Sequence, residues 1–301
     1  MSEATAVAVW VRAARPATLW AAIGPVAVGA ALAQAQECLR LAPLLAATWG
    51  AIWIQIGTNF ANDLHDHLRG ADGPNRLGPA RAVAMGWISA PAMRRAVVVA
   101  FAAATAAGLY LTWVAGWWVV WLGVAAIAAG VLYTAGPRPL AYIGVADLFV
   151  LAFFGFAAVV GTVAVQCAAI PAAAWWAGLA VGCLNTAILV VNNLRDRAGD
   201  AAVGKRTLAV RFGAPFARAE YALLHLAAYL VCAGLAYRSG SLWLAAPLLT
   251  VPIAWRNVRA LSRLEGRALN PLLGGTARLV LAFSLLLALG LVLGGVSPAQ
   301  R

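Results

Sequence analysis

Nine apolar stretches, most of them close to 20 residues long, recur along the chain with few charges inside them. A helix needs about 20 such residues to cross the hydrocarbon of a bilayer. In lipid every backbone polar group must find an internal partner, so only helices or closed barrels can span it. Runs of this length predict helices, at about 17–36, 42–60, 94–114, 117–134, 145–166, 172–193, 219–237, 241–255 and 278–296. The eighth is the shortest. Gly24-Pro25 falls inside the first and predicts a kink there. The expected fold is therefore all-α: a polytopic membrane protein with about nine transmembrane helices in a single domain over 1–301.

Composition agrees. Of 301 residues 63% are hydrophobic and 11% charged, against about 25% charged in soluble domains; the mean hydropathy is +0.84. The net charge of +12 would suggest nucleic acid in a soluble protein, but this hydropathy excludes such a partner and points to membrane lipid. With the N-terminus in the cytoplasm, all basic residues except Arg40, Arg238 and Arg301 fall on the cytoplasmic side. That asymmetry is the positive-inside pattern, and it predicts the cytoplasmic (inner) membrane with the C-terminus outside. The first ten residues lack a basic start and a cleavage site, so no removable signal peptide is expected. The four cysteines, Cys38, Cys167, Cys183 and Cys232, form no C-x-x-C pair. They are expected as small apolar filler, with a Cys38–Cys167 bridge the less favoured alternative.

Two long cytoplasmic segments, 61–93 and 193–218, carry most of the acidic residues. The second span leads into Asn59-Phe-Ala-Asn-Asp63-Leu-His-Asp66 and the sixth into Asn192-Asn-Leu-Arg-Asp196-Arg-Ala-Gly-Asp200. On a helix Gln55, Asn59, Asp63 and Asp66 share one face, as do Asn185, Asn192, Asp196 and Asp200. The same device thus ends two helices four spans apart, which predicts an internal repeat: two four-helix units plus one helix. Clustered carboxylates at helix C-termini oppose the helix dipole and repel one another. A divalent cation relieves both, and Mg²⁺ prefers a few carboxylates together with substrate phosphate oxygens. Solvated, salt-bridged helix ends are the plainer reading, but the Asn and Gln at membrane depth behind each motif favour function.

The paired motifs resemble those of the UbiA superfamily of intramembrane prenyltransferases, and the similarity runs from Arg15-Pro16-Ala-Thr18 to the last span. Within it the chain is most similar to the branch that prenylates 1,4-dihydroxy-2-naphthoate in menaquinone biosynthesis. The stretches carrying this are Arg69-Gly70-Ala-Asp72, Leu77 to Ser89, Tyr133-Thr-Ala-Gly136-Pro137-Arg-Pro139 and Gly204-Lys205-Arg206-Thr207-Leu208. Asp147 stands where that branch carries glutamate, and Ala135 where it carries glycine. The resemblance implies transfer of a polyprenyl group from an isoprenyl diphosphate to the naphthoate, with decarboxylation, leading to a demethylmenaquinone. Mg²⁺ is the implied cofactor, held by Asn59, Asp63, Asp66, Asn192, Asp196 and Asp200, of which the four aspartates are catalytic. Lys205, Arg138 and Tyr133 are expected at the diphosphate. Arg69, Arg76 and Arg81 are expected at the acceptor carboxylate, with Asp72 a further metal or loop-ordering residue. His65 and His67 are expected as interfacial side chains, since Mg²⁺ selects oxygen ligands. The tryptophans near 117–121 and 175–176 are expected as an aromatic belt. A different aromatic or lipid acceptor is the alternative within the class. A secondary transporter is the alternative outside it, disfavoured because the acidic groups gather at one surface rather than at the midplane.

Overall fold

The computed structural model describes residues 3–70 and 76–295, all helical or in turns and loops, with no strand among the described residues. A short helix α1 (Glu3–Ala14) precedes α2 (Pro16–Ala35), α3 (Leu41–Leu68), α4 (Ala90–Ala115) and α5 (Trp118–Leu132). Two short helices, α6 (Leu140–Ile143) and α7 (Ala146–Val150), lead into a π-helical segment, Leu151–Ala157, and α8 (Ala158–Ala164). Then come α9 (Ala172–Ala202), α10 (Leu208–Ser239), a 3₁₀ segment Leu242–Thr250, α11 (Val251–Arg263), a 3₁₀ turn Gly266–Leu269 and α12 (Asn270–Gly294).

Seven helices among the described residues are long and apolar enough to cross a membrane, counting Ala146–Ala164 and Gly266–Gly294 each as one; Trp118–Leu132 is apolar but shorter. Every expected span therefore has a helical counterpart, except that the eighth is not one α-helix. Pro247 and Pro252 interrupt it, and a proline inside a helix removes an i→i−4 bond. The chain answers with a 3₁₀ segment that passes into α11. The two long loops at 61–93 and 193–218 are also shorter than expected. At 28 and 31 residues, α3 and α9 are about 42 and 46 Å long at 1.5 Å per residue, beyond the roughly 30 Å of hydrocarbon. Their excess carries both acidic motifs on rigid helix.

The packing is circular: α3 lies on α4, α9 on α10, and α12 closes back on α2. The most buried of the spanning helices is α9, and its Ala173, Ala174, Ala177, Ala180, Val181 and Leu184 join Val28, Leu32, Val159 and Phe283 in the main core. Small residues let backbones approach, as in membrane helix pairs generally. Gly178 and Gly182 of α9 face Gly155 of the π segment, where an added Cβ on Gly155 would come within 2.5 Å of the Gly178 carbonyl oxygen. Gly29 is similarly pressed against Thr162, and Gly24 against Ser284.

At the end opposite the acidic motifs, the loop after α2 is tied to the loop after α8. Cys38 and Cys167 are joined in a disulfide, with Cα atoms 5.4 Å apart. The expectation of apolar filler thus fails for this pair and holds for Cys183 and Cys232, which are free and buried. Spacing could not decide this, because the two cysteines are 129 residues apart and meet only through the bundle. The Arg40 amide donates to Gln166 Oε1 at 2.8 Å and its guanidinium to the Val165 carbonyl at 2.6 Å, which fixes the same corner.

Two measurements test this packing. Denatured, unreduced protein should take up two maleimide labels by intact mass, and four after reduction. Gly155→Val should destabilise by about 1–3 kcal/mol through overpacking and lower the midpoint of thermal unfolding in detergent. Gly234→Ala, on α10 with open space around it, should leave that midpoint unchanged or raise it.

Candidate active site

A cavity of about 1380 Å³ runs through the first half of the bundle, between α2, α3, α4, α5, the π segment and α9. Its lining on α3 extends from Ala47 to Asp66, about 29 Å along the axis. One end is polar and the rest apolar, with Ile54, Leu109, Ile127, Phe149 and Phe154 in the walls. Both acidic motifs meet at the polar end because α3 and α9 deliver their C-terminal turns to the same side of the bundle.

Lys205 holds the two motifs together. Its ammonium lies 3.4 Å from Asp66 Oδ1 and 3.5 Å from Asp200 Oδ1. Burial alone would lower the pKa of this amine, but Asp66, Asp200 and Tyr142 outweigh it and hold the pKa above the ordinary lysine value. Lys205 is therefore a fixed positive charge between the motifs. It is placed by the turn before α10, where Gly204 adopts φ 77° and Thr207 caps the helix by accepting from the Val210 amide. The Tyr142 ring sits under the ammonium at 5.3 Å.

The other carboxylates are also engaged. Asp66 Oδ2 accepts from Arg81 at 2.9 Å. Asp196 accepts two bonds from Arg195, at 2.8 and 2.5 Å, while the same guanidinium reaches Asn192 Oδ1 at 2.7 Å and Asn270 Oδ1 at 3.0 Å. Asp63, expected at the metal, lines the cavity and has both oxygens engaged. Its two oxygens accept the backbone amides of Ala82 and Val83, at 2.9 and 3.0 Å. It is the anchor of the turn at 81–88, which Gly86 closes at φ 69°, and that turn is what brings Arg81 to Asp66.

Of the remaining expected residues, Asn59, Asn192, Tyr133, Arg76 and Arg81 line the cavity. The Asn59 amide group donates to the Ala14 carbonyl at 2.9 Å and to Thr18 at 3.0 Å, tying α3 to the corner between α1 and α2. Arg69 bonds the Gly136 carbonyl and covers the Tyr142 ring at 5.1 Å without lining the cavity. Arg138 is exposed and stands outside the cavity. Asp72 lies outside the described residues. His67 is exposed and His65 half-buried; neither lines the cavity.

Residue patterning overlooked Arg195, Asn62 and Asn270. Asn62 lines the cavity and accepts from Thr134 at 3.0 Å. Asn270 joins Arg195 to the Leu77 carbonyl across the bundle. Arg195 is buried at the end of a spanning helix, and an arginine on the inward face of such a helix was the signal available. Nothing local marked Asn270.

The donors at the polar end are hard oxygens of carboxylate and amide groups, the set Mg²⁺ selects. Among the described residues no three acidic, histidine or cysteine side chains form a ready-made cage. This fits a cation whose coordination is completed by water and phosphate.

The comparisons with known proteins agree with this geometry. Residues 22–280 match the model of the UbiA prenyltransferase family. The chain is 37% identical to the 1,4-dihydroxy-2-naphthoate octaprenyltransferase of Escherichia coli strain K12, with 94% of this chain and 95% of the relative aligned. It is 35% identical to the enzyme of the same name from Mycobacterium tuberculosis, over 96% and 98%. Among solved structures, a UbiA homolog from Archaeoglobus fulgidus bound to GPP and Mg²⁺ superposes with a TM-score of 0.65 at 18% identity, covering 93% of this chain and 99% of that one. A cavity with paired carboxylates at one end of a helical bundle, matched over most of the chain, identifies it as a member of the UbiA prenyltransferase family.

Proposed function

We propose that this protein transfers a polyprenyl group from an isoprenyl diphosphate to 1,4-dihydroxy-2-naphthoate with loss of CO₂. The product is a demethylmenaquinone in its hydroquinone form. The observation that carries this is the convergence of Asp66 and Asp200 on Lys205 at the mouth of a long apolar cavity. That arrangement suits a ligand with an anionic head and an isoprenoid tail. The near full-length likeness to naphthoate octaprenyltransferases supports the choice of acceptor.

Asp66, Asp196 and Asp200, with Asn192, would hold Mg²⁺. When bound, the ion neutralises the diphosphate and the charge that grows on it as the allylic carbon–oxygen bond breaks. Lys205 offers its ammonium to the diphosphate oxygens, and Arg195 and Arg81 stand ready as further cations once their carboxylates turn to other partners. Arg76, and Arg81 where it is not so engaged, reach the cavity with the planar fork that pairs with a carboxylate, which suits the acceptor. The apolar walls exclude water from the allylic cation. The ring carbon bearing the carboxylate attacks that cation, the electron pair of the departing CO₂ returns to the ring, and diphosphate leaves. The asymmetry of basic residues favours a cytoplasmic-side mouth in the inner membrane, the N-terminus on the same side.

Purified protein given octaprenyl diphosphate, Mg²⁺ and a panel of aromatic acids should prenylate the naphthoate and release CO₂. Turnover only with another acceptor would overturn the choice of acceptor, and movement of a solute without any product would favour transport. Asp66→Asn and Asp196→Asn should lower kcat/KM by about a hundredfold or more while the protein still unfolds cooperatively, Asp66→Asn at a lower midpoint because Arg81 and Lys205 lose a buried anionic partner, and chelation should abolish turnover reversibly. Asp63→Ala should differ in kind, speeding hydrogen exchange at the Ala82 and Val83 amides because their acceptor is gone. In Asp196→Asn those two amides should exchange as in the parent protein.

A further inference from the structure

Residues at the apolar end of the main cavity also face a second space. It is a cavity of about 1210 Å³, bounded by the loop after α2, the start of α5, the π segment, α8 and the start of α9. It sits at the end of the bundle opposite the carboxylates, since α3 and α9 begin there and finish at the acidic motifs. The two cavities share six wall residues: Trp118, Leu122, Phe153, Ala157, Gly161 and Val165. We propose that the far end of a long isoprenoid chain passes through this shared wall and lies in the second cavity. The proposal rests on the function given above and adds a binding site for the part of the chain remote from the diphosphate.

Three observations converge on the wall. Phe153 and Ala157 belong to the π-helical segment, a rare conformation that gathers at functional places. The π turn is stabilised against α9 through Gly155, Gly178 and Gly182, which fixes the face that Phe153 and Ala157 present. The wall is also thin. The same six residues line both cavities, so the wall is one side chain thick; at Gly161 it is closed by Leu122, whose Cδ2 an added Cβ would approach to 3.2 Å, and Ala157 is small. Finally, the main cavity runs about 29 Å along α3, and an extended octaprenyl chain is longer than that. The chain must fold back or go on, and the continuation is an apolar space. Its rim is held by the Cys38–Cys167 disulfide and by Arg40 on Val165 and Gln166. On its other side Ile170 and Trp175 are exposed.

Ala125 and Ala164 border the second cavity alone, so Ala125→Phe and Ala164→Phe fill it without touching the first. With geranyl diphosphate both variants should keep kcat/KM within about twofold of the parent. With octaprenyl diphosphate both should lose about tenfold or more. Equal loss with both donors, or no loss with octaprenyl diphosphate, would overturn the proposal. A second measurement stands apart from turnover and from the folding of any variant. A long-chain diphosphate carrying a photoreactive group at its far end is bound to the parent protein, illuminated and mapped by peptide mass. Labels on Val114, Ala164, Ile170 or Trp175 support the second site, and labels confined to the main cavity overturn it. Parent protein that turns over neither donor would sink the proposed function, and the mapping would still decide whether the tail lies here.

Discussion

Carboxylates set close together at the end of a membrane bundle repel one another, oppose the helix dipole and lose hydration, so each must be paired to persist. Here Asp196 is paired within its own motif, by Arg195, while Asp66 is paired across the molecule. Lys205 bonds Asp66 from one helix and Asp200 from another, Arg81 reaches Asp66 from the turn after α3, and Arg195 spans Asp196, Asn192 and Asn270. Breaking one partner of a buried pair leaves an uncompensated charge, which costs far more than the net gain from making the pair. The polar end is thus held in register by its charges, and those same charges are what a diphosphate and a divalent cation would engage.

The helices supply the rest by length and by closeness. Because α3 and α9 outrun the hydrocarbon, the acidic turns stand on continuous helix, and the turns at 81–88 and before α10 bring Arg81 and Lys205 to them. Backbone contact at Gly155, Gly178 and Gly182 brings the π segment against α9 and leaves space on its other side. Polar chemistry at one end, a long apolar passage and a thin wall at the far end are therefore consequences of one packing arrangement.

Asp63 shows how one motif position can also hold a loop. Its place in the acidic pattern is shared with Asp66, yet its oxygens accept two backbone amides from the turn at 81–88. A carboxylate with good acceptor capacity serves equally for a loop or for a metal, and the letter in the sequence is the same. Arg138 is the reverse case. It follows a well-marked Gly-Pro turn beside the site but remains exposed, because nothing in the local sequence says which side of the turn faces inward.

What the sequence determined by itself was set by local physics. Apolar runs of membrane length made the helices, and the 3.6-residue repeat placed Asp66, Asp196 and Asp200 on inward faces. The shortness of the eighth span was legible too, although its 3₁₀ start at Leu242–Thr250 was not. The tertiary structure alone decided which groups meet: Cys38 with Cys167, Lys205 with both motifs, Asn270 with Arg195, and the main cavity with the second one. Those meetings join residues far apart in the chain, and only close packing of helices, residue against residue, fixes contacts of that range.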